Sequence, residues 1–536
     1  MTDLDRLALR RKARRLLAPW DRPGSPGATL GLVRDGALVL QESAGAASLE
    51  LGVPIGPETG FRIASVSKQF TCAAILLLAA EGRLSTEDEI HAWLPELPDL
   101  GAAIRIDHLM RNCSGLRDML ELMRLAGTDL SHPATAEHLL AAIGRQRGLN
   151  FPPGTRFLYS NTGFLLLGRI VEAAAGEPLG AVLERRIFAP LGMTRTRHTP
   201  SVTEIVPGLA TGYFPQGGGF VRALHGFPLG GEGGLVSCVE DLALWDRNFT
   251  TGQVGGTALG QALAERAPFA NGTLNLYARG LEVTGYRGLR TENHGGLWPG
   301  FKTCFLRAPE AGVTVIAIAN HGGIDVHHLG HQMLDAALEG RPGLHPVPAL
   351  PPRPALEALT GRWLEPESGT TVEFGIEADG TPTATQHGLP FALAPAEDGR
   401  LVARRGIYPF TVTLPEGGRL AIETDAGHVA PFRRAAEGPA LPAGLAGTYR
   451  CEELDTVWTL APEGDGLAAR VRGPVTAAGP WPVQPIEGDC IRVLTPATLF
   501  QGWVDAKLAR DAAGWITGLV VSGARARGLR FARQER

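Results

Sequence analysis

The sequence predicts an α+β domain, an antiparallel sheet flanked by helices, followed by two small antiparallel β-barrels. Three observations point there. Through the first 340 residues, apolar runs of helical length alternate with short β-branched runs and a hairpin signal. Next, Arg341–Pro354 (RPGLHPVPALPPRP) is a proline-rich stretch that reads as an extended linker. Beyond it, Leu359–Phe374 and Leu445–Leu460 follow one pattern: Leu-x-Gly-x-aromatic, acidic turn residues, then an alternating strand. That repeat implies two successive all-β domains of under ~100 residues each, too few copies for a solenoid and suited to small barrels. The expected boundaries are 1–340, a linker over 341–355, 356–438 and 439–536.

Taken in order, Thr29–Glu42 holds two apolar runs around Asp35-Gly36, a type I′ hairpin signal. Phe61–Leu84 (FRIASVSKQFTCAAILLLAAEGRL) contains a run, Ala73–Ala80, that is apolar on every side, so its helix should be buried. Glu81-Gly82-Arg83 ends it with a glycine near the C-cap. Ile106–Cys113 and Ala134–Arg147 read as amphipathic helices, and Phe164–Ala175 as another apolar one. In Gly230–Trp245, a glycine-rich strand end leads to a helix, with Ser237 and Glu240 spaced as a capping box. His294-Gly295-Gly296 precedes an expected strand at Leu297–Leu306, and Val313–Asn320 reads as its neighbour. A second His-Gly-Gly string at His321 is expected in a loop. His327 and His331 are spaced i, i+4, but the intervening glutamate of a zinc helix is missing, so a solvated face is expected and no metal. Arg472–Asp489 carries Gly473, Gly479 and four prolines, and is expected to be a long functional loop with Trp481 exposed near its tip.

Composition excludes several classes. Of 536 residues, 44% are hydrophobic and 20% charged, the profile of a globular chain. A net charge of −4 gives no footprint for nucleic acid or anionic membrane. The six cysteines include no C-x-x-C pair, against a disulfide framework or zinc ribbon. The N-terminus, MTDLDRLALRRKARRLLAPW, lacks the apolar core of a secretory signal, and a cytoplasmic address is expected.

The chemistry concentrates in two places. Ser65-Val66-Ser67-Lys68 puts a hydroxyl and an amine on one helical face at the mouth of the buried helix. Lysine is scarce, with only Lys12, Lys68, Lys302 and Lys507, so the pairing is distinctive. Tyr159-Ser160-Asn161 stands before the Phe164–Ala175 helix, where a phenol and an amide can point into one cleft.

The order S-x-x-K, Y-x-N, H-x-G resembles the penicillin-recognising serine hydrolases, a group that includes class C β-lactamases, D-alanyl-D-alanine carboxypeptidases, esterases and D-aminopeptidases. The resemblance spans about the first 340 residues and includes PPGTRFLYSNTGFLLLG and GGLVSCVEDLALW. It implies a β-lactamase/penicillin-binding type of catalytic domain. The layout looks most like the three-domain D-aminopeptidases, with H-G-G in place of K-T-G and two C-terminal barrels. That likeness implies release of N-terminal D-residues from peptides, amides and esters by a cytoplasmic homodimer, without a cofactor, open to inhibition by β-lactams. It implies Ser65 as nucleophile, Lys68 and Tyr159 as proton carriers, Asn161 as an orienting group, and the N–H groups of Ser65 and Leu297 beside Gly296 as oxyanion site. His294 would steer the leaving group or bond Tyr159. Glu282, on the strand before H-x-G, would meet the substrate ammonium, and the loop 473–485, with Gly479 and Trp481, would wall the site. The other readings are a D,D-carboxypeptidase, β-lactamase or esterase on the same residues, or a non-catalytic binding protein. A cell-wall carboxypeptidase needs export, and intact Ser65, Lys68 and Tyr159 weigh against an idle protein.

Overall fold

Asp35 and Gly36 both take positive φ, 50° and 75°, as a two-residue type I′ hairpin requires. They join β1 (Ala28–Arg34) to β2 (Ala37–Ala44) in the computed structural model, which describes residues 3–396, 398–403, 410–416, 419–436, 438, 440–498 and 501–534. With β3 (Glu282–Tyr286), β4 (Leu289–Trp298), β5 (Phe301–Ala308) and β6 (Val313–Ala319) they form one antiparallel sheet in the order β3-β4-β5-β6-β1-β2. Helices cover both faces, which is why β5 and β6 are buried almost throughout and read as continuous apolar runs. On one face, Leu9, Ala13 and Leu17 of α1 (Asp3–Leu17) meet Leu329 and Met333 of α6 (Val326–Ala337). On the other lie α2 (Lys68–Ala80), the short α3 (Met119–Leu125), α4 (Asn161–Ala175) and α5 (Val239–Thr251). α2 is the expected buried helix: Lys68 to Ile75 and Leu78 are all buried, and Gly82 beyond its end takes φ 70°.

Two local expectations are corrected. Leu297–Leu306 is not one strand: Pro299-Gly300 turns the chain, and His294-Gly295-Gly296 lies inside β4 rather than ahead of a strand. Ser237 and Glu240 do not cap α5, whose N-cap is Cys238; the Ser237 hydroxyl pairs with Thr196 Oγ1 at 2.8 Å instead.

Both repeats close into eight-stranded antiparallel barrels, Gly361–Leu364 to His428–Arg434 and Gly447–Cys451 to Leu529–Arg533. The first has its own core around Trp363, Phe391 and Phe410. The second does not stand alone. Its Trp458 and Phe531 belong to the same apolar cluster as Met123 and Leu125 of α3, and Trp458 Nε1 donates to Leu125 O at 3.1 Å.

The expected exposed loop at 473–485 is corrected as well. Ala477–Glu487 is a strand of the second barrel, with Trp481 and Val483 facing inward and Ile486 buried against Leu364 of the first barrel. Pro480 and Pro482 fall on its outward positions, so the prolines mark a strand face instead of a turn. Trp481 is 3% exposed and packs edge-on against Trp458, ring centres 5.7 Å apart. The start of this stretch touches the first domain, where Thr476 Oγ1 donates to Gly127 O at 2.6 Å. Among the described residues, no helix is long and apolar enough to cross a membrane, and no cluster of three His, Cys, Asp or Glu is spaced for a metal.

Candidate active site

Ser65 sits in a single 3-10 turn, Ala64–Ser67, that runs into α2. The turn begins with Ala64 at φ 49°, an unfavoured left-handed conformation for a residue with a side chain. β4 approaches this turn closely: a methyl group on Gly296 would lie 2.2 Å from Ile63 O. The glycine of H-G-G is therefore what lets the strand reach the serine.

Lys68, one turn on, is fully buried. Its Nζ lies 3.1 Å from Ser65 Oγ, 2.9 Å from Asn161 Oδ1 and 2.5 Å from Glu232 O. Two of these partners can only accept, while the serine hydroxyl can accept or donate. A neutral amine fits: two N–H groups go to Asn161 and Glu232, and the lone pair meets the Ser65 proton. Burial lowers the Lys68 pKa to about 7; the Glu232 carboxyl opposes that shift and the Arg525 guanidinium reinforces it.

Tyr159, 2% exposed, stands beside them, its ring centre 4.9 Å from Lys68 Nζ. Its hydroxyl is buried with no hydrogen-bond partner among the described residues. Burial holds the phenol far above its ordinary pKa, and the neighbouring Ser65 only partly offsets this. The phenol is therefore protonated at rest, and the amine is the group poised near neutrality.

Asn161 opens α4. Asp118, the N-cap of α3, accepts from Asn161 N at 2.7 Å and Nδ2 at 2.9 Å through one oxygen, and from the N–H groups of Leu120 and Glu121 through the other. That network assigns the amide orientation and turns Oδ1 toward Lys68.

The remaining expected residues divide. Ser65, Tyr159, Asn161 and Leu297 line one pocket of about 20 Å³, about the volume of one water, together with Glu232 and Arg525. His294 is buried, does not line this pocket, and makes no hydrogen bond to Tyr159 among the described residues. Its Nδ1 lies 2.7 Å from Gly295 O and its Nε2 2.9 Å from Tyr277 Oη. The carbonyl can only accept, so Nδ1 carries the hydrogen and Nε2 receives the Tyr277 proton. Burial lowers its pKa to about 3, so the ring is neutral. Glu282 is absent from the pocket lining. It sits on the edge strand β3, 5% exposed, lining a larger groove of about 2120 Å³ toward the first barrel. Burial drives its pKa well upward, which disfavours its charged form. Gly479 and Trp481 belong to the barrel wall and core and do not line the pocket.

Sequence reasoning missed three residues. Asp118 carried a faint signal as the N-cap of a helix start. Glu232 sits in the glycine-rich stretch; its Oε1 accepts from Gly230 N at 2.8 Å, and its buried Oε2 has no partner among the described residues. Burial raises its pKa. Arg525 comes from the last hairpin of the second barrel, with no local signal beyond flanking glycines.

Comparison with known proteins agrees with this geometry. The family model described as Beta-lactamase matches residues 9–338. A D-aminopeptidase of Brucella canis is 30% identical over 552 aligned positions, covering 95% of this chain and 96% of that one. A D-aminopeptidase of Cereibacter sphaeroides is 28% identical, covering 85% of each. Among solved structures, the D-amino acid amidase from Ochrobactrum anthropi SV3 complexed with D-phenylalanine superposes with a TM-score of 0.53 at 26% identity, over 62% of this chain and all of that one. The octameric penicillin-binding protein homologue from Pyrococcus abyssi gives a TM-score of 0.57 at 22% identity, over 81% of this chain and all of that one, a likeness of fold.

Proposed function

The chain belongs to the beta-lactamase family, and from that footing we propose that it is a serine hydrolase working through an acyl-enzyme, a D-stereospecific aminopeptidase. The observation that carries the reading is the buried Lys68 amine, pulled to a pKa of about 7 and held 3.1 Å from the Ser65 hydroxyl. A base poised near the working pH is what general-base activation of a serine needs.

Lys68 takes the Ser65 proton as Oγ adds to the substrate carbonyl. The oxyanion that forms sits against the N–H groups of Ser65 and Leu297, each donor contributing about 3–4 kcal/mol to lowering the barrier. Tyr159 then gives its proton to the leaving amine and recovers one from Lys68, so the serine's proton ends on Tyr159 and Lys68 is again neutral. In the second half, water gives a proton to Lys68 and adds to the ester. The tetrahedral adduct collapses, the acid leaves, and Ser65 Oγ regains its proton. Asn161, fixed by Asp118, holds Lys68 in place throughout.

Two observations support the finer substrate assignment. Relatives named D-aminopeptidase align along nearly the whole chain. Glu232 lines the pocket and keeps an acceptor oxygen without a partner among the described residues, which suits the ammonium of an N-terminal residue.

The test is hydrolysis of D-alanine p-nitroanilide by the wild type and by Ser65→Ala, with the L-isomer and the N-acetyl derivative as comparators. The expected result is turnover of the D-isomer alone, abolished in Ser65→Ala. Turnover retained by that variant would remove Ser65 as nucleophile. Equal rates on both isomers would end the D-selectivity, and preference for the N-acetyl compound would end the aminopeptidase reading.

A further inference from the structure

The His-Gly-Gly segment combines two requirements that pull against each other. Gly296 has to lack a side chain for β4 to reach the serine turn, yet two successive glycines are the least restrained residues a strand can use. The sheet gives only partial help. β3 pairs with β4 as far as Asn293, and from His294 to Trp298 the ladder runs to β5 alone. The Leu297 N–H is useful to an oxyanion only if this stretch is held still. His294 braces it: Nδ1–H donates to Gly295 O at 2.7 Å. That carbonyl and the Gly296 N–H share one peptide plane, so the bond fixes the plane immediately before the one that carries the Leu297 N–H.

The brace depends on Tyr277. A neutral imidazole carries one hydrogen, and either nitrogen can hold it. Tyr277 lies just ahead of β3, fully buried, with its hydroxyl 2.9 Å from His294 Nε2. Burial holds this phenol well above its ordinary pKa, so it keeps its proton and donates. With Nε2 accepting, the imidazole hydrogen sits on Nδ1. Were it on Nε2, Nδ1 would turn a lone pair toward the Gly295 oxygen and the two acceptors would repel. Tyr277 is itself anchored: its N–H donates to Asn275 Oδ1 at 3.0 Å, and Asn275 Nδ2 donates to Arg111 O at 3.0 Å. The next residue, Asn112, accepts from Ser160 N at 3.0 Å. The Tyr277 ring meets the Tyr159 ring edge-on, centres 6.2 Å apart. Tyr277 therefore stands between the Tyr-Ser-Asn segment and the His-Gly-Gly strand.

We propose that Tyr277 is a positioning residue for the oxyanion site: its hydroxyl selects the His294 tautomer that pins the Gly295 carbonyl, and through that peptide it sets the Leu297 N–H beside Ser65. This rests on the acyl-enzyme reading, in which the Leu297 N–H meets the developing oxyanion. Tyr277 does not line the pocket of Ser65; its hydroxyl acts through His294.

Tyr277→Phe keeps the ring against Tyr159 and removes the hydroxyl. The experiment measures kcat and KM for D-alanine p-nitroanilide in wild type, Tyr277→Phe, His294→Asn and the double variant. It also records imidazole nitrogen NMR signals, those of His294 being the ones missing from His294→Asn. Tyr277→Phe should lower kcat roughly tenfold to a hundredfold, as for a misplaced oxyanion donor, with KM changed less than about threefold. The acid limb should stay near pH 7, since Lys68 keeps its contacts. Wild type should carry the His294 hydrogen on Nδ1, and Tyr277→Phe should move it to Nε2. The side-chain amide of His294→Asn has no tautomer to select, so the double variant should have the kcat of His294→Asn alone. An unchanged kcat in Tyr277→Phe, a further loss in the double variant, or one tautomer with and without the hydroxyl overturns the proposal. Should Tyr277→Phe fail to fold, the wild-type spectrum decides: hydrogen on Nε2 overturns the proposal and hydrogen on Nδ1 supports it. A wild type that hydrolyses p-nitrophenyl acetate but not the anilide ends the aminopeptidase reading and moves the same comparison to that ester; one that hydrolyses neither ends both.

Discussion

Lys68 links catalysis to stability, and both can be read from one titration. In the folded chain the amine gives up its proton near pH 7; in the unfolded chain it does so near its ordinary value of 10.5. Between those values the unfolded chain binds more protons, so stability must rise with pH. Taking about 1.36 kcal/mol for each unit of separation, Lys68 contributes a rise of about 2 kcal/mol from pH 7 to pH 9. The perturbation is Lys68→Met, which fills the space without a titrating group. It leaves Asn161 Oδ1 and Glu232 O without the amine, at a cost of about 1–3 kcal/mol each, so at pH 7 the two effects partly offset. The pH dependence is the cleaner quantity when both chains also carry Glu232→Gln, because Glu232 faces Lys68 and would otherwise titrate differently in the two. Urea melts at pH 7 and pH 9 should show the chain that keeps Lys68 gaining about 2 kcal/mol relative to Lys68→Met. The kcat/KM of the wild type should rise through an acid limb centred near pH 7, as the base loses its proton. Parallel melts, with an activity limb well above pH 9, would mean that the amine stays charged in its pocket and that another group takes the Ser65 proton.

Three further outcomes follow from packing. Gly296→Ala places a methyl group against Ile63 O, and should lower kcat at least tenfold while costing about 1–3 kcal/mol in a melt; unchanged turnover would mean that β4 need not approach the serine turn. Trp481→Ala should cost about 3–5 kcal/mol as a buried core aromatic, yet leave the kcat/KM ratio between D-substrates unchanged per folded molecule; a shifted ratio would restore this residue to the substrate wall. Asp118→Ala removes the cap of α3 and the anchor of the Asn161 amide, so stability should fall by about 1–2 kcal/mol and kcat should fall more than KM rises; a pure KM effect would separate Asp118 from the base.

The residues legible in the sequence were those whose function is built locally. Ser65 and Lys68 share one turn, and Tyr159 and Asn161 straddle one helix start, so spacing alone brings each pair together. The chain crossings that join the pairs leave no local trace. Asp118 reaches Asn161 across 43 residues, and the Glu232 carbonyl reaches Lys68 across 164. Arg525 lies farther still. His294 was found, but its partner was not: Tyr277 lies on a segment packed behind β4, and only the fold puts its hydroxyl there. Trp481 shows a different failure. Proline was read as punctuation, although the apolar residues between the prolines alternate with the strand period. The two barrels were visible because the chain repeats itself; that the second one shares its core with the first domain was not, since Trp458 and Leu125 meet only in the folded state.

The contacts between the last hairpin of the second barrel and α3 make the pocket a late-maturing feature. The backbone hydrogen bonds of Arg525 to Asp118, Glu121 and Asn150 each span more than two-thirds of the chain. Loops of that span close slowly compared with helices and hairpins. The nucleophile and its base can assemble before the second barrel completes the pocket wall.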